Sequence, residues 1–336
     1  MKKQGMFKVG SIVLLTALLS ACGDEETEDA AAGEENGDAA DGESYDIGVV
    51  QYADHPSLDQ ATEGFKDAVE EADLDVVYDD QNASGDMNVL QTVADTFVGD
   101  DVDLIFANAT PAAQIMTSST DDIPIMFTSV TDPEGAELVE TLDAPGGNTT
   151  GTMDLHPDAI SQSVELMGDE LDVETIGMVY NAGEQNSEYQ VSLAEEAAEE
   201  AGMDVQTATV QTSADVQSAA ESLVGSIDAF YIITDNEVVS GLDSVIGVAE
   251  DEGLPLFVGE LDSVEAGGFA GFGFSYYDIG YVTGEMAVDV LNGEADPESL
   301  AVEFPPELEL VFNEGAAERI DWDDSWDELA DEIINE

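Results

Sequence analysis

The sequence predicts an α/β protein built as two doubly wound parallel-sheet lobes. Three observations carry this. Short apolar runs such as Val102-Asp103-Leu104-Ile105-Phe106 and Phe230-Tyr231-Ile232-Ile233 alternate with amphipathic stretches, the pattern of strand–helix units with buried parallel strands. The runs fall into two series of four with similar pitch, separated by the turn-rich Pro145-Gly146-Gly147-Asn148, where the boundary between lobes is expected. The chain has 336 residues, 43% of them hydrophobic, enough for two cores.

Taken in order, strands are predicted over 45–51, 75–78, 102–107 and 123–128, then over 175–180, 204–210, 229–233 and 254–259. Between the first of them, Leu58, Ala61, Phe65, Ala68, Val69 and Ala72 form one helical stripe; Met87, Leu90, Val93, Ala94 and Phe97 form another. Near the chain's end, Trp322, Trp326, Leu329 and Ile333 also fall at helical spacing. They predict an amphipathic helix packed on the second lobe, with Trp326 and Leu329 inward.

The first 44 residues read differently. Lys2, Lys3 and Lys8 precede an apolar run from Val9 to Ala21, too short to span a bilayer and suited to a secretory signal over 1–21. Leu19-Ser20-Ala21-Cys22 resembles a bacterial lipobox, in which the cysteine receives lipid and becomes the first mature residue. Cys22 is the chain's one cysteine, so internal disulfides, cysteine-ligated zinc and thiol catalysis are all excluded. Residues 22–44 are mostly Ala, Gly, Asp and Glu with no large apolar side chain, and read as an acidic, disordered tether.

Charge bounds function from the other side. Five Lys and Arg stand against 78 Asp and Glu, a net charge of −73. Loss of the leader leaves only Lys66 and Arg319 against all 78 acids, or −76. Such a surface cannot neutralise phosphates, which excludes nucleic acid and charge-driven docking on anionic lipid. Apolar strands throughout the chain argue against disorder, so the acid reads as adaptation to brine, where salt screens self-repulsion. A halophilic bacterium is the expected source. Two histidines, no H-E-x-x-H, no G-x-S-x-G and no phosphate loop ending in lysine argue against an enzyme, and no cofactor or metal is expected.

In open parallel sheets, ligands sit beyond the carboxyl ends of the strands. Those ends here carry hydroxyls, amides and lone acids: Gln51 to Pro56, Asn108 to Gln114, Thr128 to Pro133, Asn181 to Glu188, Thr234-Asp235-Asn236 and Gly259 to Asp262. Thr110, with Pro111 following, opens a helix. It reads as the helix cap and also as a donor to a ligand carboxylate, with Ser129 a similar case. Asp235 suits a ligand ammonium or, equally, a helix cap; Glu260, Asp262 and Asp154 are rival acids. Tyr52, Phe274, Tyr276 and Tyr277 could wall an aromatic side chain or simply pack the lobes. His55 and Asn181 complete the candidates.

At these residues the chain resembles the ABC-importer substrate-binding lipoproteins that include tryptophan- and tyrosine-binding proteins. The resemblance runs from about Ile47 to Ile320. It rests on His55-Pro56-Ser57-Leu58-Asp59, Gln81-Asn82-Ala83-Ser84-Gly85-Asp86, Ala109 to Gln114, Val130-Thr131-Asp132-Pro133, Thr234-Asp235-Asn236 and Tyr276-Tyr277-Asp278-Ile279-Gly280-Tyr281. It implies the type I periplasmic-binding fold, with lobes of 45–152 plus 275–300 and 153–272 plus 302–336 joined by a three-segment hinge. It also implies a monomeric, lipid-anchored solute receptor on the outer face of the membrane, serving an ABC permease and its ATPase. The expected solute is an aromatic amino acid or similar small zwitterion. A branched-chain amino acid, nucleoside or sugar is the alternative, and so is a sensory role. Leu261 and Ser275 depart from the family pattern at positions expected to face or flank the cleft.

Overall fold

The computed structural model describes residues 44–335 apart from 306, 307, 321, 323–325, 327 and 328. The leader, Cys22 and nearly all of the tether lie outside the described residues, and Ser44 already belongs to the first strand.

Apolar runs become strands, and the stripes predicted from the sequence become helices that cover them. The first lobe runs β1 (Ser44–Gln51), α1 (Pro56–Glu71), β2 (Asp75–Asn82), α2 (Met87–Asp100), β3 (Leu104–Asn108), α3 (Thr110–Ser119), β4 (Ile125–Val130) and β5 (Thr149–Met153). Its five strands are parallel in the order β2-β1-β3-β4-β5. Leu58, Leu90, Ala94, Phe97, Ile105 and Phe127 fill one side of this sheet. Phe65, Val69, Phe106 and Met126 fill the other.

The second lobe follows: α4 (Ala159–Leu171), β6 (Thr175–Asn181), α5 (Gln185–Ala201), β7 (Asp204–Val210), α6 (Val216–Leu223), β8 (Ala229–Ile232), α7 (Asn236–Ser240), α8 (Leu242–Glu252), β9 (Leu256–Val258), α9 (Leu261–Glu265) and β10 (Ala270–Gly273). After α10 (Tyr276–Leu291), the chain ends with β11 (Glu309–Asn313), α11 (Glu314–Arg319) and β12 (Glu332–Ile334). The sheet order is β12-β11-β10-β9-β8-β6-β7, parallel throughout except that β11 runs against β10.

Two sequence expectations need correction, and a third is sharpened. The turn at Pro145 to Asn148 does not divide the lobes, because β5 follows it and pairs with β4. The segment Thr149-Thr150-Gly151-Thr152-Met153 has too few large apolar residues to announce a strand. The predicted C-terminal helix is also overturned. Glu332–Ile334 is a strand that pairs with Val311, Phe312 and Asn313, covering what would otherwise be an open sheet edge. Trp326 does turn inward, against Phe257, Phe269 and Phe312, while Leu329 is exposed. Finally, the two departures from the family pattern flank seam residues while serving their own elements. Leu261 packs with the second-lobe core beside Gly273, and Ser275 caps α10 by accepting the Asp278 N–H (3.2 Å).

Helix α10 returns to the first lobe and lies on α1 backbone to backbone. A Cβ on Gly280 would sit 2.0 Å from the Ala61 carbonyl oxygen, and one on Gly64 would sit 2.1 Å from that of Tyr277. The chain therefore passes between the lobes after β5, between Gly273 and Ser275, and near Glu303. The last of these is tied to the first: Glu303 N–H donates to Gly151 O (2.9 Å) and Met153 N–H donates to Glu303 O (2.9 Å).

Candidate functional site

The first lobe presents the carboxyl ends of β1, β3 and β4 to the second. Helix α3 starts there in an unusual way. Its cap position is Ala109, held at φ 88°, ψ 152° with no side chain able to cap, a backbone state that non-glycine residues occupy only under constraint. Thr110 is already helical and does not cap, contrary to the sequence reading. Its Oγ1 is buried and has no hydrogen-bond partner. Ser129, on the adjacent strand end, has φ 56° and an equally bare, buried Oγ. The ladder slips between Phe127 and Val130 at this point, and such a bulge re-aims a side chain. Gly151 makes the bulge possible, since at φ 156° a Cβ there would lie 1.8 Å from the Phe127 carbonyl oxygen. Two unpaired hydroxyls and the free N–H groups of a helix start thus stand side by side, a ready site for a carboxylate.

The second lobe answers with acids. Asp235 caps α7 by accepting the Val238 N–H on Oδ1 (2.9 Å), while Oδ2 accepts from Asn181 N–H (2.6 Å) and Ser187 Oγ (2.7 Å). The capping role is therefore realised, and both oxygens are engaged. Burial raises its pKa, and so it does for neighbouring Glu184, which Asp235 raises further. Glu184 accepts from the side-chain amides of Asn181 (3.3 Å), Asn186 (3.2 Å) and Asn236. Burial also pushes Tyr52, across the seam, well above its ordinary range, with Glu184, Glu237 and Asp235 adding to the effect. Tyr52 OH donates to Gly85 O at 3.2 Å.

The lobes are closed on one another. Ser57 Oγ at the start of α1 lies 2.8 Å from both Glu260 Oε2 and Asp262 Oδ2, and Gln60 Nε2 donates to Asp262 Oδ1. Gln185 reaches Asp132 (3.1 Å), and Ser240 Oγ donates to Asp54 O (3.1 Å). One hydroxyl has one hydrogen for two carboxylates, so a further proton fits between them. Burial lifts Glu260 to about 7 accordingly. At the hinge, Asp154 accepts from Thr131 Oγ1 (2.9 Å) and Tyr276 OH (3.0 Å), and burial lifts it to about 6. Burial lowers His55 to about 4, so its imidazole is neutral.

The structure thus gathers Tyr52, His55, Asp154, Asp235, Glu260, Asp262 and Tyr276 along one seam, with Thr110 and Ser129 at the first lobe's strand ends. Asn181 serves its own loop, accepting the Gly183 N–H (2.9 Å). Phe274 and Tyr276 stack with centroids 5.6 Å apart in a small cluster with Ile279, while Tyr277 OH donates to Asp67 on α1. Glu184, Asn186, Asn236 and Ser57 stood in the sequence reading only as members of longer stretches, and Gln60 was missed. Lys66 pairs with Asp80 and Arg319 with Glu250, both away from the cleft. Among the described residues, no three His, Cys, Asp or Glu side chains come close enough to hold a bare metal ion. A groove of about 770 Å³ lined by Glu165, Asp169 and Glu200 opens at the amino ends of β6 and β7, away from the strand ends that bind ligands.

A family model described as ABC transporter substrate binding protein matches residues 46–330. A tyrosine-binding protein of Clostridioides difficile is 37% identical over 314 residues, covering 92% of this chain and 90% of that one. The solved structure of an ABC domain in complex with L-Trp from Streptococcus pneumonia is 34% identical, covers 87% of this chain and 100% of that one, and superposes with a TM-score of 0.82. A ligand-free, open structure of a substrate-binding protein with adhesive properties from Clostridium difficile is 36% identical with the same coverage, yet its TM-score is 0.64. At nearly equal identity, this chain superposes better on the L-Trp complex than on the ligand-free, open structure. More distant solute-binding structures share the fold alone.

Proposed function

The chain belongs to the substrate-binding proteins of ABC transporters, a family of solute receptors and not of enzymes, and from that premise we propose that it captures an aromatic amino acid or a similar small zwitterion. Members of the family take up small solutes outside the cytoplasmic membrane and work with an ABC permease. The observation that carries the choice of solute is the pairing of the bare start of α3, with the unpartnered hydroxyls of Thr110 and Ser129, against a face of buried acids. The ligand carboxylate takes the helix start and its ammonium takes the acids. Glu260 is the favoured ammonium partner, because its hydrogen bonds from Ser57 and Ser263 both fall on Oε2. Asp235 is committed to its own loop and supports the site by fixing it. With no base in the cleft, a phosphate ester or dicarboxylate would meet acids unopposed. The tyrosine-binding relative and the L-Trp complex agree in ligand class.

The same reading makes Cys22 the lipid-carrying first residue of the mature chain, tied by its acidic tether to the outer face of the membrane of a halophilic bacterium. The receptor works there as a monomer with a permease and its ATPase. The decisive experiment is calorimetry at high salt with tryptophan, tyrosine and phenylalanine, beside mass spectrometry of ligand released from purified protein. Binding of at least one of the three is expected. Tight binding of a sugar or nucleoside, with no response to any of them, would overturn the assignment of the solute.

A further inference from the structure

Two carboxyl groups that meet the first lobe across the seam are short of one hydrogen. Ser57 is fully buried near the start of α1, and its Oγ lies 2.8 Å from both Glu260 Oε2 and Asp262 Oδ2. The hydroxyl has one hydrogen to donate and lone pairs with which to accept. Once it donates to one carboxyl, the other bonds to it only by bringing a hydrogen of its own. Were both ionised, two like charges would stand within two hydrogen-bond lengths of each other in a closed seam. We propose that Glu260 and Asp262 close on Ser57 as a pair that shares one proton, and that Asp262 is thereby a positioning residue, holding Glu260 in place for the ammonium of the solute.

The surroundings of the pair supply no other counter-charge. His55, with Asp59 beyond it, faces Asp262 from the start of α1. Asp235 faces Glu260 from the start of α7, and Asp154 and Tyr276 face it from the hinge. Burial keeps the His55 imidazole neutral, and Lys66 and Arg319 pair with Asp80 and Glu250 away from the cleft. A pair with one proton carries one negative charge, which one ammonium neutralises; a second charge would be left over in the seam. Burial lifts Glu260 to about 7, in keeping with a proton held at this pair. The geometry also shows how the proton can be replaced. Gln60 Nε2 donates to Asp262 Oδ1, which leaves Oδ2 turned to Ser57. In Asp262→Asn, the side-chain carbonyl would take the Gln60 hydrogen and the amide would point an N–H at Ser57 Oγ. The variant thus supplies at every pH the hydrogen that a carboxyl supplies only while protonated.

The inference rests on Glu260 as the ammonium partner proposed above, and its test separates the two. Calorimetry in high salt follows tryptophan and tyrosine binding to the wild type, Asp262→Asn, Ser57→Ala and the double variant. Asp262→Asn is expected to match the wild type at about pH 6, where the pair holds its proton, and to bind at least about fivefold tighter at about pH 8, where the wild type loses it. The ratio of the two removes the ammonium's own competition with protons, which both proteins share. Ser57→Ala cuts the link from Asp262 to Glu260, so it should weaken binding about fivefold and erase the gain in Ser57→Ala/Asp262→Asn. Weaker binding by Asp262→Asn at both pH values, or a ratio that does not change with pH, would overturn the shared proton. If no aromatic amino acid binds the wild type, the proposed solute fails, and small-angle scattering of ligand-free protein at about pH 8 still decides the pair. Asp262→Asn should then be more compact than the wild type, and equal dimensions would overturn the proposal.

Discussion

The two faces of the cleft differ in what they leave undone. On the first lobe, Thr110 and Ser129 are buried with unpaired hydroxyls, and α3 starts without a cap. On the second, Asp235 and Glu184 are buried with their oxygens already met by Asn181, Asn186, Ser187 and Asn236. A bare buried donor weakens a fold until a ligand arrives; an acid whose oxygens are already met is held in place beforehand. The difference teaches which face waits for the ligand and which one frames it. It also shows how a chain with almost no bases manages its carboxylates: amides and hydroxyls take the place of lysine and arginine.

Experiments can break that comparison at several strengths. The largest effect is expected from salt, which acts on both faces at once. With 78 acids and five bases, the fold should be partly or wholly lost below roughly 0.1 M salt, where the Debye length exceeds about 10 Å. A melting temperature that is flat from dilute buffer to molar salt would contradict this. Next comes Glu260→Gln, which removes the favoured ammonium partner. Loss of one side of a buried charged hydrogen bond costs about 2–5 kcal/mol, so calorimetry should read affinity at least about 30-fold weaker.

A matched pair of variants then sharpens the contrast between the faces. Asp235→Ala strips three donors of their acceptor, and chemical denaturation should show about 1–3 kcal/mol less stability. Thr110→Val removes a hydroxyl that bonds nothing in the protein, so stability should hold while affinity falls about five- to tenfold. If both variants change stability alike, the division of labour is wrong. The smallest effect is expected from pH. In the closed form, burial holds Glu260 at about 7 and Asp154 at about 6, against about 4 for free carboxyls. The closed form therefore binds protons that the open form releases. Ligand-free closure should be favoured as pH falls below about 7 and lose that help above it. The ammonium competes with the same protons, so affinity should rise with pH across this window. Small-angle scattering of ligand-free protein at either end, beside calorimetry, checks both signs.

Much of the fold was legible because buried parallel strands spell themselves out, as Leu104-Ile105-Phe106 does. Strand β5 was not, since its threonines bond outward to the hinge and to α10: Thr152 Oγ1 lies 2.8 Å from Thr283 Oγ1. The tail misled for another reason. Trp322 to Ile333 keeps helical spacing, but the unpaired edge of β11 decides its end, and a three-residue strand is too short to show a period of two. In the site, Thr110 and Ser129 could be named because small hydroxyls at strand ends are informative. Glu184 could not, because one acid among 78 carries no signal. Asp235 was named with both of its roles open, and only geometry separated a cap from a free acceptor.

The seating of α10 on α1 has a consequence for how the protein is made. Met286 and Ala287 complete the apolar layer that Ile47, Val49, Phe65 and Phe106 begin, and the glycine contacts leave no room for a substitute helix. The five strands of the first sheet come early in the chain, yet one face of that sheet has only α1 for cover until Leu291 has followed. By then the chain of the second lobe through Gly273 has already been released. Domains ordinarily fold amino end first during synthesis; here the lobe that begins the chain is finished only after most of its partner exists.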